Sequence, residues 1–115
     1  MSMTLREHQS AFAFDLITFL TWARDQGYEF VLGEVQRTPE QQQLYVSSGR
    51  SKTMNSMHLK KCAADIFFFK NGILLASKEE LQNLGKEWEA LSPSNSWGGN
   101  WNSFKDIPHF ERKVK

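Results

Sequence analysis

Four residues of this chain are of types that could do chemistry together. His58 and Asp65 sit seven apart in SMHLKKCAAD, and Asp106 and His109 sit three apart in DIPHFE. Two imidazoles and one carboxylate make a suitable three-ligand set for Zn²⁺, leaving a fourth position to water. A metal held in that way lowers the pKa of its water to about 7 and makes it a usable nucleophile. The spacing by itself does not choose this reading, because His-x6-Asp arises by chance and a lone histidine is more often packed or solvated than ligating. It also sets a geometric condition. Residues seven apart on an ideal strand point to opposite faces, so His58 and Asp65 can share a metal only across a turn or bulge, which Leu59-Lys60-Lys61 can supply. Pro108 stiffens the backbone just before His109.

Caps and periodicity outline the elements that must position these side chains. Thr4 and Glu7 form a capping box. Phe12, Leu16, Phe19, Leu20 and Ala23 then recur at helical steps until Gly27 offers a C-terminal cap. Tyr28 to Val35 is rich in β-formers and is expected to be a strand. Thr38-Pro39 starts a second helix that runs to about Ser47, before Gly49. Residues 48–57 are polar and irregular, hence a loop. Cys62 to Phe69 is strand-like, and Asn71-Gly72 before Ile73-Leu74-Leu75 signals a hairpin. Ser77 with Glu80 opens a third helix through about Leu91. The last stretch mixes turn formers and aromatics, with a strand expected at His109 to Arg112. The sum is an α+β fold, a small antiparallel sheet packed against helices.

A length of 115 residues suits one domain, 1–115, and 40% apolar with 13% aromatic content suffices for a core. A net charge of +1 provides no whole-protein field for nucleic acid or an anionic membrane. One cysteine excludes an intrachain disulfide and a cysteine-rich zinc knuckle. No segment approaches the roughly 18 uncharged apolar residues of a membrane span. The apolar run from Ala11 to Ala23 carries Asp15 and has a helical rhythm, so it reads as a core helix and not a signal peptide. Synthesis in the cytoplasm without an export signal is expected.

The segments QRTPEQQ, SMHLKKCAAD and WGGNW…FKDIPHFE, in that order, resemble the zinc peptidases of the VanY-like D-Ala-D-Ala carboxypeptidase and L-alanyl-D-glutamate endopeptidase family, in particular its small phage-endolysin-like branch. The resemblance spans about Glu34 to Glu111. It implies a Hedgehog/D,D-peptidase-like fold, with His58, Asp65 and His109 as zinc ligands. Asp106 would be the general base that takes a proton from zinc-bound water and passes it to the leaving amine. Arg37 aligns with the family's arginine before the Pro-Glu-Gln helix, which implies that it binds substrate and stabilises the oxyanion. The plainer alternative for Arg37 is a surface pair with Glu40. Ser56 either binds substrate, supports His58 by a hydrogen bond, or closes a turn.

Several other residues carry two readings. His8 is solvated or packs the first helix; Cys62 is a buried apolar thiol, since a fourth protein ligand would block the open metal position. Lys52, Lys60 and Lys61 flank the expected cleft, to attract acidic wall peptides or merely as a solvated loop. Phe67, Phe68 and Phe69 are expected in core and sheet-face packing. Trp97, Trp101 and Phe104 are expected around the last ligand, with Gly98-Gly99 allowing a tight turn and Trp101 available to stack on substrate.

The function these features imply is a zinc-dependent peptidoglycan endopeptidase cutting L-Ala–D-Glu, a phage or prophage lysis enzyme. Its expected partners are bacterial stem peptides, with no nucleic acid and no membrane span, and a monomeric state is expected. Such an enzyme is made in the host cytoplasm and acts on the wall after release. The alternatives are a D,D-carboxypeptidase or dipeptidase of the same family, or a non-catalytic wall-binding module that keeps the zinc.

Overall fold

Side-chain caps set the helix ends in the computed structural model, which describes residues 2–51, 53–102 and 105–114. The Thr4 hydroxyl accepts the Glu7 N–H and the Glu7 carboxylate accepts the Thr4 N–H, opening α1 at Leu5–Asp25. Gly27, at φ +89°, turns the chain out of that helix into β1, Glu29–Leu32. Thr38 caps α2, Pro39–Ser47, with Pro39 in its first turn. A second capping box, Ser77 with Glu80, opens α3 at Lys78–Ala90.

The sheet is built around β2, Ala63–Lys70, and every pairing in it is antiparallel. The second half of β2 pairs with β1, Leu32 standing opposite Ile66, and with the short β3, Ile73–Leu74, across the Asn71-Gly72 hairpin. Both hairpin residues have positive φ, as a type I′ turn requires. The first half of β2 pairs with β5, His109–Arg112, placing Asp65 opposite His109 and Ala63 opposite Glu111. Beyond β5 lies β4, Asn95–Trp97, so the order is β1-β2-β5-β4.

Alternation along β2 and β5 divides the molecule into a core side and a cleft side. Ala64, Ile66, Phe68 and Phe110 point toward α1 and α3 and are buried with Phe12, Phe19, Leu84, Trp88 and Trp97. The Phe19 ring lies 5.2 Å from Phe110 and 5.4 Å from Trp88, centroid to centroid. Burial of each such side chain contributes on the order of 1.5–3 kcal/mol. Glycines let the backbone meet the largest of them: a Cβ on Gly85 would stand 2.1 Å from the Trp97 ring, and one on Gly99 2.2 Å from it. Trp97 is thus a core residue stacked on Phe110, and not the neighbour of the last ligand that the sequence suggested.

Three further differences from the sequence reading have local causes. The strand expected over 28–35 narrows to Glu29–Leu32, although backbone bonds between Gly33, Glu34 and Asp65 continue its course. β4 falls in a Ser/Asn-rich stretch with little β-propensity, where pairing with β5 supplies the order. Gly98 and Gly99 form a 3-10 turn, Gly98–Asn100, without positive φ; they serve by lacking a Cβ. No helix among the described residues is long and apolar enough to cross a membrane.

Candidate functional site

The condition set by the seven-residue spacing is met by a 3-10 turn at Met57–Lys60 followed by Lys61 in the left-handed region, φ +56°. This reversal brings His58 to the cleft side of β2, where Asp65 already points. Ser56 caps the turn, its hydroxyl accepting the His58 N–H at 3.3 Å, so it closes the turn and supports His58 at once. On the other side of Asp65, the register of β5 brings up His109. His58 Nε2 lies 3.2 Å and His109 Nδ1 3.6 Å from the same Asp65 oxygen. One donor atom from each of the three falls within 4.8 Å of the others.

The ring nitrogen that each histidine turns to this point is fixed by a partner behind it. His58 donates Nδ1–H to the Val35 carbonyl at 2.9 Å, leaving Nε2 as the free lone pair. His109 does the reverse: Nε2–H goes to the Glu111 carboxylate at 2.7 Å, and Nδ1 faces Asp65. His109 Nδ1 is buried and has no hydrogen-bond partner, a costly state for a polar atom that a metal at this point would relieve. The donor chemistry and the orphaned atom both fit a divalent cation such as zinc.

Electrostatics agree with this use. Burial works against ionising Asp65, yet the two imidazoles beside it, His109 and His58, hold its carboxyl well below the usual carboxylate range in the metal-free site. Burial also works against protonating His109, but Asp65 and Glu111 together push the metal-free imidazole up to about 9. Asp106, 3.9 Å from His109 Nδ1 and nearly half exposed, behaves oppositely to Asp65: burial raises its pKa against the pull of His109. Burial likewise raises the Cys62 thiol, which is fully enclosed and away from the site.

Asp106 is seated by backbone contacts. Its N–H donates to Gly98 O at 3.1 Å, and its own carbonyl accepts the His109 N–H at 3.1 Å. That carbonyl lies where a Gly98 Cβ would stand, at 2.2 Å. From the core, Trp97 donates its indole N–H to the Ile107 carbonyl at 2.7 Å, fixing the same turn. Trp101 packs on the His109 ring at 5.0 Å and donates to Ser96 at 2.9 Å.

Arg37 lines the same cleft, which has a volume of about 560 Å³. It is not the surface partner of Glu40. Its side chain is 10% exposed and bonded through Nε and Nη2 to Glu34, with Nη1 reaching Gln42 at 2.7 Å and Ser56 at 3.4 Å. Phe67 packs on the cleft face of the sheet at 40% exposure while Phe68 fills the core. Lys60 and Lys61 do not line the cleft: Lys60 donates to the Val114 carbonyl, and Lys61 makes the left-handed turn. Lys52 and Phe104 lie outside the described residues. His8 packs on the sheet side, accepting from Arg112 at 3.2 Å.

Three supporting residues escaped the sequence reading. Glu111 was signalled by strand alternation, since His-x-Glu in β5 shares one face. Gln42 is the only buried residue of α2, while Leu44 of the same helix is 62% exposed. α2 therefore turns a polar side inward, because it walls a polar cleft instead of the core. Glu34 lies two residues beyond the end of β1, and only the fold shows that it meets Arg37.

Comparison with known proteins bears on this arrangement. The sequence pattern of a peptidase family of type M15, described as D-alanyl-D-alanine carboxypeptidase, matches residues 49–112, more than half of the chain. The L-alanyl-D-glutamate peptidase of Listeria phage A118 is 37% identical over 98 residues, 84% of this chain and 34% of that protein. The chain thus spans about a third of that relative's length. The crystal structure of Serratia marcescens L-Ala D-Glu endopeptidase ChiX matches with a TM-score of 0.70 at 23% identity, over 98% of this chain and 89% of that one. At that identity the likeness speaks for the fold. The matched segment contains His58, Asp65, Asp106, His109 and Glu111, and by it the chain belongs to the D-alanyl-D-alanine carboxypeptidase family of M15 peptidases.

Proposed function

We propose that residues 1–115 are the catalytic domain of a zinc-dependent peptidoglycan peptidase that hydrolyses the L-Ala–D-Glu amide of the stem peptide. The observation that carries this reading is the convergence of His58, Asp65 and His109 donors in an open cleft, one of them buried without a partner. The names of the phage and Serratia proteins support the choice of bond. Zinc held by these three residues would polarise the scissile carbonyl and lower the pKa of a water beside it.

The remaining work falls to the chain itself. Asp106 accepts a proton from the attacking water as its oxygen bonds to the alanyl carbonyl carbon. It then delivers that proton to the D-Glu nitrogen as the C–N bond breaks. Arg37, held by Glu34 and Gln42, donates toward the oxyanion that develops on the attacked carbonyl. Ser56 supports His58 and Trp101 supports His109, each at the cleft wall, where they also meet the peptide. The site needs no second copy of the chain, and the reading is of a monomer that acts on the bacterial wall after synthesis in the host cytoplasm.

The description of the matched family favours one second reading, a D,D-carboxypeptidase. Mass spectrometry of purified peptidoglycan after digestion separates the two. New L-Ala carboxyl and D-Glu amino termini are expected. Released D-Ala would establish the carboxypeptidase, and no release would leave a wall-binding module. Asp106→Asn is expected to lose about 10²–10⁴ of the rate while keeping one zinc per chain by metal analysis.

A further inference from the structure

Two guanidinium groups line the cleft, Arg37 and Arg50, and their surroundings differ. Arg37 is nearly buried and bonded to the Glu34 carboxylate, with Gln42 and Ser56 taking further N–H groups. Arg50 is exposed and makes no ion pair among the described residues. It is nonetheless held in place. Its guanidinium lies 4.8 Å from the Tyr45 ring, against which Arg37 also packs at 4.6 Å. Its backbone N–H donates to the Tyr45 carbonyl at 2.8 Å, and the Ser51 N–H to the same oxygen at 3.1 Å. Gln42, fully buried, accepts from Arg37 and donates to Ser51 at 2.9 Å, tying the Arg50 loop to the site.

The carboxylates of the cleft already have cationic or hydrogen-bonding partners. Glu34 faces Arg37, Asp65 faces both histidines, and Glu111 and Asp106 face His109. A ligand that brings one more negative charge therefore meets a single unmatched cation among the described lining residues, Arg50. The proposed substrate brings such a charge. D-Glu in a stem peptide is joined onward through its side-chain carboxyl, so its α-carboxyl hangs two bonds from the nitrogen released on cleavage. In some walls that group is a carboxamide.

We propose that Arg50 reads this free α-carboxylate and so makes the domain select acidic over amidated stem peptides, an inference that rests on the peptidase reading above. The guanidinium fork matches a carboxylate with two parallel charge-assisted hydrogen bonds. A carboxamide has the same shape but no charge and one acceptor oxygen, and its NH₂ finds no acceptor on a guanidinium.

The test uses two synthetic stem peptides that differ only in this group, free acid or amide. Each is titrated into the zinc-loaded Asp106→Asn protein for binding and offered to wild type for turnover. The acid is expected to bind about tenfold more tightly, with Arg50→Met reducing the preference to less than about twofold and Arg50→Lys keeping part of it. Equal binding of acid and amide, or a preference that survives Arg50→Met, overturns the proposal. Cleavage of both peptides at equal rate leaves the peptidase reading standing and removes the selectivity. Preferential acid binding through Arg50 with no cleavage of either peptide does the opposite.

Discussion

Ala64, Ile66 and Phe68 on one side of β2 and Asp65 and Phe67 on the other alternate along a single strand, yet they answer to different physics. The first set is enclosed by α1, α3 and β5, and what matters there is volume and apolar area. The second set faces a cleft, where Asp65 stands among two histidines and Phe67 is 40% exposed. There the determinants are direction, charge and the partner behind each ring nitrogen. Damage on the two sides should accordingly appear in different measurements: unfolding free energy on the core side, metal binding and turnover on the cleft side.

Substitutions chosen in pairs across the strand test that division. The largest effect is expected for His109→Ala, which should lose stoichiometric zinc by metal analysis and reduce hydrolysis below detection. Retained zinc with full activity would remove His109 from the centre. Phe68→Ala should cost about 3–5 kcal/mol in denaturant unfolding, as a fully buried aromatic, and a change under 1 kcal/mol would show that the core closes over the gap. Glu111→Ala leaves the His109 Nε2–H without its acceptor. It should weaken zinc binding about 10–100-fold in chelator competition, and Glu111→Gln, which keeps an oxygen, should recover most of that. The smallest stability effect is expected next door to Phe68. Phe67→Ala should cost less than about 1.5 kcal/mol, because its ring stays half in water, while changing peptide affinity more than zinc affinity.

Where each feature could be read from the sequence follows the same division. The caps Thr4/Glu7 and Ser77/Glu80 and the Asn71-Gly72 turn are local devices, satisfied within four residues, and were legible as such. His58, Asp65, Asp106 and His109 were legible because their residue types and spacing resemble a known family. The supports were not. Glu34, Gln42 and Glu111 are ordinary polar residues until folding brings Arg37 and His109 to them. Gly85 and Gly99 matter only because the Trp97 ring arrives from elsewhere in the chain. β4 is ordered by its neighbour, through Trp97 opposite Phe110, more than by its own composition.

The pairing of β5 with β2 has a kinetic side. His58 and Asp65 are close in sequence, but His109 follows more than forty residues later and reaches them only when the two strands zip together. A chain still lacking that pairing offers a metal two ligands instead of three, so the ion gains most of its hold at the end of assembly. Metal that binds after the rate-limiting barrier slows the escape from the native state without hastening the approach to it. In this domain the ion would therefore act as a latch on the closed sheet, lengthening the life of the folded chain while leaving the search for the fold to the aromatic core.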